Sequence, residues 1–171
     1  MTLTPTPHRP LADGGALPGD RLESLVLRPL PAPLPDPAGL PEHAVRAVTA
    51  DQEGAFPCRR CLQDARVGEA LWLLSYDPFL GDSPYRQPGP IYVHQRACAP
   101  DRLDVVPAQQ LRRQLGVRAF DADHLMVGAQ VIPGVELAAT ARELLAAPDV
   151  AYLHVHNAGP GCFAVRIDRA G

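Results

Sequence analysis

Proline placement restricts the folding of this chain more than any other feature. A proline donates no backbone hydrogen bond and fixes φ, so it stops helices and is kept out of sheet interiors. Ten of the 20 prolines fall within the first 41 residues, in TPTPHRP, at Pro18, and in RPLPAPLPDPAGLP. Regular structure is therefore expected mainly after residue 41. Residues 1–20 lack apolar periodicity and read as a disordered Pro-rich tail. Residues 21–171 read as a single domain that opens with a docked strand at 22–27 and a polyproline-type connector at 29–41.

The remainder reads as β-rich. Residues 44–50 are partly alternating and suit a short strand. ALWLLSY at 70–76 is a nearly continuous apolar run between Gly68 and Pro78, as expected of a buried strand. Residues 91–94 form another. Segments 117–120 and 125–132 flank a polar connection and predict a hairpin, and 151–156 and 162–167 flank Asn157-Ala158-Gly159-Pro160-Gly161 and predict a second. Pro107, with Leu111 and Leu115 four apart and Gly116 as terminator, marks a short helix. The main helix follows Pro133-Gly134, with Leu137, Ala141, Leu144 and Leu145 on one stripe and Pro148 as its stop. The expectation is an α+β fold: a curved antiparallel sheet of β-hairpins with one main helix and one short helix.

Composition excludes whole classes of activity. The chain has 171 residues, 46% hydrophobic and 20% charged, as a globular protein should. Its net charge of -3 is spread without basic runs, which argues against nucleic acid. The longest apolar stretch, 70–74, is far short of the roughly 20 residues a membrane helix needs. The N-terminus lacks a signal-peptide core, so the expected location is cytoplasmic. Every basic residue counted is Arg. Without Lys there is no Schiff base, no pyridoxal phosphate attachment and no P-loop, so neither that cofactor nor a nucleotide is expected.

Three constellations hold the remaining chemistry. In Phe56-Pro57-Cys58-Arg59-Arg60-Cys61, a tight turn can aim both sulfurs of the C-x-x-C at one metal ion, and His94 and Cys98 supply two further ligands at half-site spacing. Cys58, Cys61, His94 and Cys98 are thus candidate ligands for a structural zinc, whose closed tetrahedron would leave no water position. A redox dithiol tuned by Arg59 and Arg60, or plain buried thiols, are the alternatives. Second, strand alternation places Tyr152, His154 and His156 on one face of the last hairpin, and symmetric loop closure sets Cys162 across from His156. Cys162, His154 and His156 are the candidate catalytic set, with an incidental solvated face as the alternative. Third, residues 76–90 concentrate prolines, Tyr76, Tyr85 and Arg86 between two strands, which suits a binding rim or a cap on the core.

FPCRRCLQDARVGEALWLLSYDPF, SPYRQPGPIYVHQRAC and AYLHVHNAGPGCFAVRIDR also resemble the signature blocks of an uncharacterised bacterial family, domain of unknown function 1203, in order and spacing across residues 22–169. The resemblance implies a single-domain cytosolic protein with no established activity. A Cys-Arg pair beside an aromatic loop further suggests a small-ligand pocket of Cys58, Arg59, Tyr76, Tyr85 and Arg86 for an anionic small molecule or a peptide, since Arg suits planar anions. Binding is thus the expected function, and thiol-dependent hydrolysis or redox chemistry at the hairpin is the alternative.

Overall fold

A computed structural model describes residues 21–30, 44–79 and 81–171. The tail at 1–20 and the connector beyond residue 30 lie outside the described residues. The elements run β1 (Leu25–Arg28), β2 (Val45–Thr49), β3 (Ala70–Tyr76), β4 (Gly89–His94), α1 (Ala108–Leu111), β5 (Gln114–Phe120), β6 (Met126–Pro133), a 3-10 turn at Gly134–Glu136, α2 (Leu137–Ala146), β7 (Tyr152–Asn157) and β8 (Phe163–Arg169). The α+β expectation holds. The strands make two antiparallel sheets, five-stranded β1-β8-β7-β5-β6 and three-stranded β2-β3-β4, instead of one. The Pro- and Gly-rich loop after β3 turns the chain straight back, so β4 pairs with β3 from Leu71↔His94 to Tyr76↔Gly89 and becomes an edge of the small, open sheet.

Period-2 alternation builds the main core. Leu115 and Val117 of β5, Leu153 and Val155 of β7, and Val165 and Ile167 of β8 share one face of the larger sheet. Onto it α2 lays Leu137, Ala138, Ala141 and Leu145, all buried, as its apolar stripe requires. The chain enters α2 through a tight passage at Gly134, where a Cβ would lie 1.8 Å from the Gln110 carbonyl oxygen. Any side chain there would force α1 and the 3-10 turn apart.

Two local expectations are corrected. The short helix ends at Leu111, and Leu115 and Gly116 belong to β5. The alternation of Leu115, Val117 and Ala119, each fully buried, overrides the i,i+4 spacing of Leu111 and Leu115. The last hairpin does not close symmetrically. Val155 pairs with Val165 but His156 pairs with Phe163, so Ala164 is an extra residue in β8. That bulge puts Phe163 on the face of His154 and His156, while the loop closes between Asn157 and Cys162, where the Asn157 amide donates to the Cys162 carbonyl at 2.9 Å, so Cys162 lies opposite Asn157 and not His156. The face is covered rather than solvated, since every residue of β7 is buried.

Candidate metal centre

The C-x-x-C segment folds into a knuckle. Pro57 bridges Asp64, the Cys58 amide donates to the Gln63 carbonyl at 2.9 Å, and the Leu62 amide donates to the Cys58 carbonyl at 3.1 Å. The tight reversal puts Leu62 in the left-handed region at φ 57, a conformation that costs a non-glycine residue energy and that its burial in the main core must offset. Cys58 also bridges Tyr92 in parallel, and the Arg59 amide donates to the Tyr92 carbonyl at 2.9 Å. The knuckle therefore lies along β4, which ends at His94. Cys98 follows once the chain has turned.

This arrangement gathers Cys58, Cys61, His94 and Cys98 with all four ligand atoms within 4.8 Å of one another. The group could hold a metal ion. Sγ of Cys58 is 3.8 Å from Sγ of Cys98, and Sγ of Cys61 is 3.5 Å from Nδ1 of His94. A tetrahedron with Zn–S near 2.3 Å and Zn–N near 2.05 Å has S–S edges of about 3.8 Å and S–N edges of about 3.6 Å. The donor set and these two edges fit zinc.

The surroundings favour a thiolate at one of the three cysteines, Cys58. Cys58 is pulled down to about 4, first by the Cys61 thiol donating to it and then, against the opposing effect of burial, by backbone N–H groups of the knuckle and of His94. The His94 amide reaches its sulfur at 3.4 Å. Cys61 moves up because its proton is the one shared with Cys58, and burial raises Cys98. Without a metal, Cys61 and Cys98 thus keep their protons beside a single thiolate at Cys58. Nε2 of His94 donates to Oε2 of Glu69 at 3.1 Å, and Oε1 of Glu69 accepts from Nη2 of Arg96 at 2.9 Å. A carboxylate behind a histidine fixes the tautomer that aims Nδ1 at a metal. Glu69 itself is held down to about 2 by the Arg66 amide and then by Arg96. Sequence reasoning gave Glu69 no role. The signal lay in register, because Leu71 pairs with His94 and a residue two positions earlier is its diagonal neighbour.

The hairpin residues meet a different fate. Sγ of Cys162 accepts from Nη2 of Arg59 at 2.9 Å and from Nδ2 of Asn157 at 3.4 Å, and makes no hydrogen bond to His156. His154 is fully buried with neither ring nitrogen partnered. It sits among the rings of Phe79, Phe120, Tyr152 and Phe163 at centroid distances of 4.9 to 5.2 Å. Desolvation lowers it to about 3. His156 directs Nδ1 to the Gly161 carbonyl at 3.0 Å and is lowered to about 4, by burial first and then by the positive charge of Arg118. The loop closure between Asn157 and Cys162 has separated the expected nucleophile from the expected base.

The expected ligand pocket is likewise not assembled. Arg59 is 1% exposed and spends its donors inward, on the carbonyls of Pro57 and Phe163 and on Cys162. Burial pushes its pKa down while Cys162 opposes the shift. Tyr76 packs on Phe163, whereas Tyr85 packs on Phe120, and Arg86 pairs with Asp77 at 2.7 Å. The aromatic loop caps the hairpin face, with Phe79 edge-on to Phe120. Arg59 thereby ties the knuckle to β8, and Cys58, Cys61 and Phe163 share one apolar cluster between the sheets.

Among the described residues no helix is long and apolar enough to cross a membrane. A family model described as Protein of unknown function (DUF1203) matches residues 55–169, more than half of the chain, including all four cluster residues and the last hairpin. No curated protein and no solved structure matches.

Proposed function

The chain belongs to this family of unknown function, and from that premise we propose that it is a binding module in which Cys58, Cys61, His94 and Cys98 hold one structural zinc ion. The observation that carries the reading is the convergence of three sulfurs and one imidazole nitrogen, with edges matching a zinc tetrahedron, in front of a histidine already oriented by Glu69. Four protein ligands leave no position for a reacting water, so the role is structural. Zinc with three thiolates carries a net charge of about -1. The two arginines inside C-R-R-C set positive charge beside it, Arg59 acting on Cys58 and Arg60 on Cys98. Zinc would pin the knuckle to the end of β4, and Arg59 extends that clamp to the larger sheet. Metal analysis of untagged protein tests this. About one zinc per chain is expected, lost in Cys61→Ser. Less than about a tenth of a zinc per chain, unchanged by that substitution, would overturn the reading.

Binding is favoured over catalysis because Cys162, the one cysteine outside the cluster, is engaged by Arg59 and Asn157 and not by an imidazole base. Four free cysteines, three of them buried, suit the reducing cytoplasm, which is where we place the protein.

A further inference from the structure

Beyond the metal cluster, a hollow opens over Gly116 on the face of the larger sheet away from α2. Gly116 pairs with His156 on one side and Val131 on the other, and a Cβ built on it would meet nothing within 4 Å. The space is a cavity of about 230 Å³ lined in part by Gly116, Arg118, Val131, His156, Asn157 and Gly161. That is below the roughly 300–1,000 Å³ of drug-sized ligand sites, so only a small molecule fits.

Two lining groups have hydrogen-bonding capacity that the protein does not use. His156 is 8% exposed, and its one hydrogen bond among the described residues joins Nδ1 to the Gly161 carbonyl. A carbonyl only accepts, so the ring proton is on Nδ1 and Nε2 keeps a lone pair that no donor meets. Arg118 lies two residues from Gly116, on the same face of β5. None of the arginine–carboxylate pairs among the described residues includes it. A half-buried guanidinium without an acid favours a carboxylate. A lone pair favours an O–H or N–H donor; Arg118 repels an ammonium, and among uncharged donors the hydroxyl is the smallest, which suits a cavity of this size.

We propose that this cavity binds a small hydroxycarboxylate, with its carboxylate on Arg118 and its hydroxyl donating to Nε2 of His156. The site deepens the reading of the chain as a binding module, and it does not depend on the zinc. Gly116, expected from sequence to end a helix, here supplies the floor, because any larger residue would fill the space.

The test titrates lactate into the full-length protein, with propionate, which lacks the hydroxyl, as control, following the His156 ring nitrogens by NMR. Lactate should give saturable shifts at Nε2, and propionate should bind at least about tenfold more weakly, as should lactate to Arg118→Met. Gly116→Val should keep its melting temperature, since a β-branched residue suits an open strand position, and should lose the lactate response. No saturable lactate shift, equal binding of propionate, or an unchanged response in folded Gly116→Val would each overturn the proposal. Zinc content measured on the same samples separates this result from the metal reading. A response in zinc-free protein leaves the cavity standing without the metal, and its absence in zinc-loaded protein does the reverse.

Discussion

The molecule holds cysteine and histidine in two places, and it treats them in opposite ways. At the knuckle, three sulfurs and an imidazole converge, and the histidine is backed by a carboxylate. At the last hairpin, Cys162 is held by cationic and amide donors, while His154 is walled in by rings with both nitrogens unpartnered. The difference comes from what aims each side chain. The knuckle is a local turn, so C-x-x-C spacing nearly fixes where its sulfurs point. The hairpin face depends on register, and a loop that closes one residue tighter, between Asn157 and Cys162, leaves Phe163 in the place where Cys162 was expected. Residue types suggest chemistry, and only geometry separates a ligand cluster from packed polar groups.

The largest expected effect sets the two cysteine sites against each other. Cys61→Ser should remove the zinc together with the link between knuckle and β4, and structural zinc is a major source of folding free energy. A drop in melting temperature of about 10 °C or more is expected in calorimetry, reproduced on the wild type by a strong chelator. Cys162→Ser keeps an acceptor for Arg59 and should leave zinc content unchanged. Equal losses from the two substitutions would erase the distinction drawn between the sites.

How much of this was legible in sequence follows the same division. Strand positions, the two hairpins, the main helix at 134–147 and the four-residue group that could hold a metal could all be read, because apolar alternation, the stripe on α2 and Cys/His spacing are local signals. The splitting into two sheets was not legible, since it depends on β4 returning to β3 instead of extending the larger sheet. Leu111 and Leu115, four residues apart, predict a helix that reaches Leu115, and only packing decides for the strand. Arg59 was expected to face a ligand and is buried. No spacing rule announces that a guanidinium will find its acceptors at Phe163 and Cys162, more than a hundred residues away.

A middle-sized effect should come from acid. The folded-state values of His154 and His156, about 3 and about 4, lie below the ordinary histidine value of 6.5. Between about pH 6.5 and 3 the unfolded chain therefore binds protons that the folded chain refuses, so stability rises with pH in this window and is lost as pH falls through it. His154→Phe removes one such group and its two unpartnered nitrogens, and the surrounding aromatic rings accept a ring of similar size. Stability at neutral pH should increase by about 1–2 kcal/mol, and the acid loss should become shallower. Urea melts at several pH values measure both. A His154→Phe protein that is less stable at pH 7 would mean that the imidazole has a role its surroundings do not reveal.

The smallest effect is expected at Arg86, part of the pocket anticipated from sequence. Its side chain is 49% exposed and pairs with Asp77 at 2.7 Å, and an exposed pair of this kind contributes little to stability, less still in high salt. Arg86→Ala should therefore shift the melting temperature by no more than about 3 °C, with most of the shift gone in molar salt. The loop should keep its place because Asp77 does a second job: its Oδ1 accepts the Phe79 amide at 3.0 Å. That turn sets the ring of Phe79 against Phe120 and His154 whether or not Arg86 is present. If Arg86→Ala instead abolished the unusual acid sensitivity of His154, the ion pair would be what keeps water from the hairpin face. The loop would then be a closure over that face and not a fixed cap. Unchanged acid sensitivity places the seal in Phe79 and its neighbouring rings.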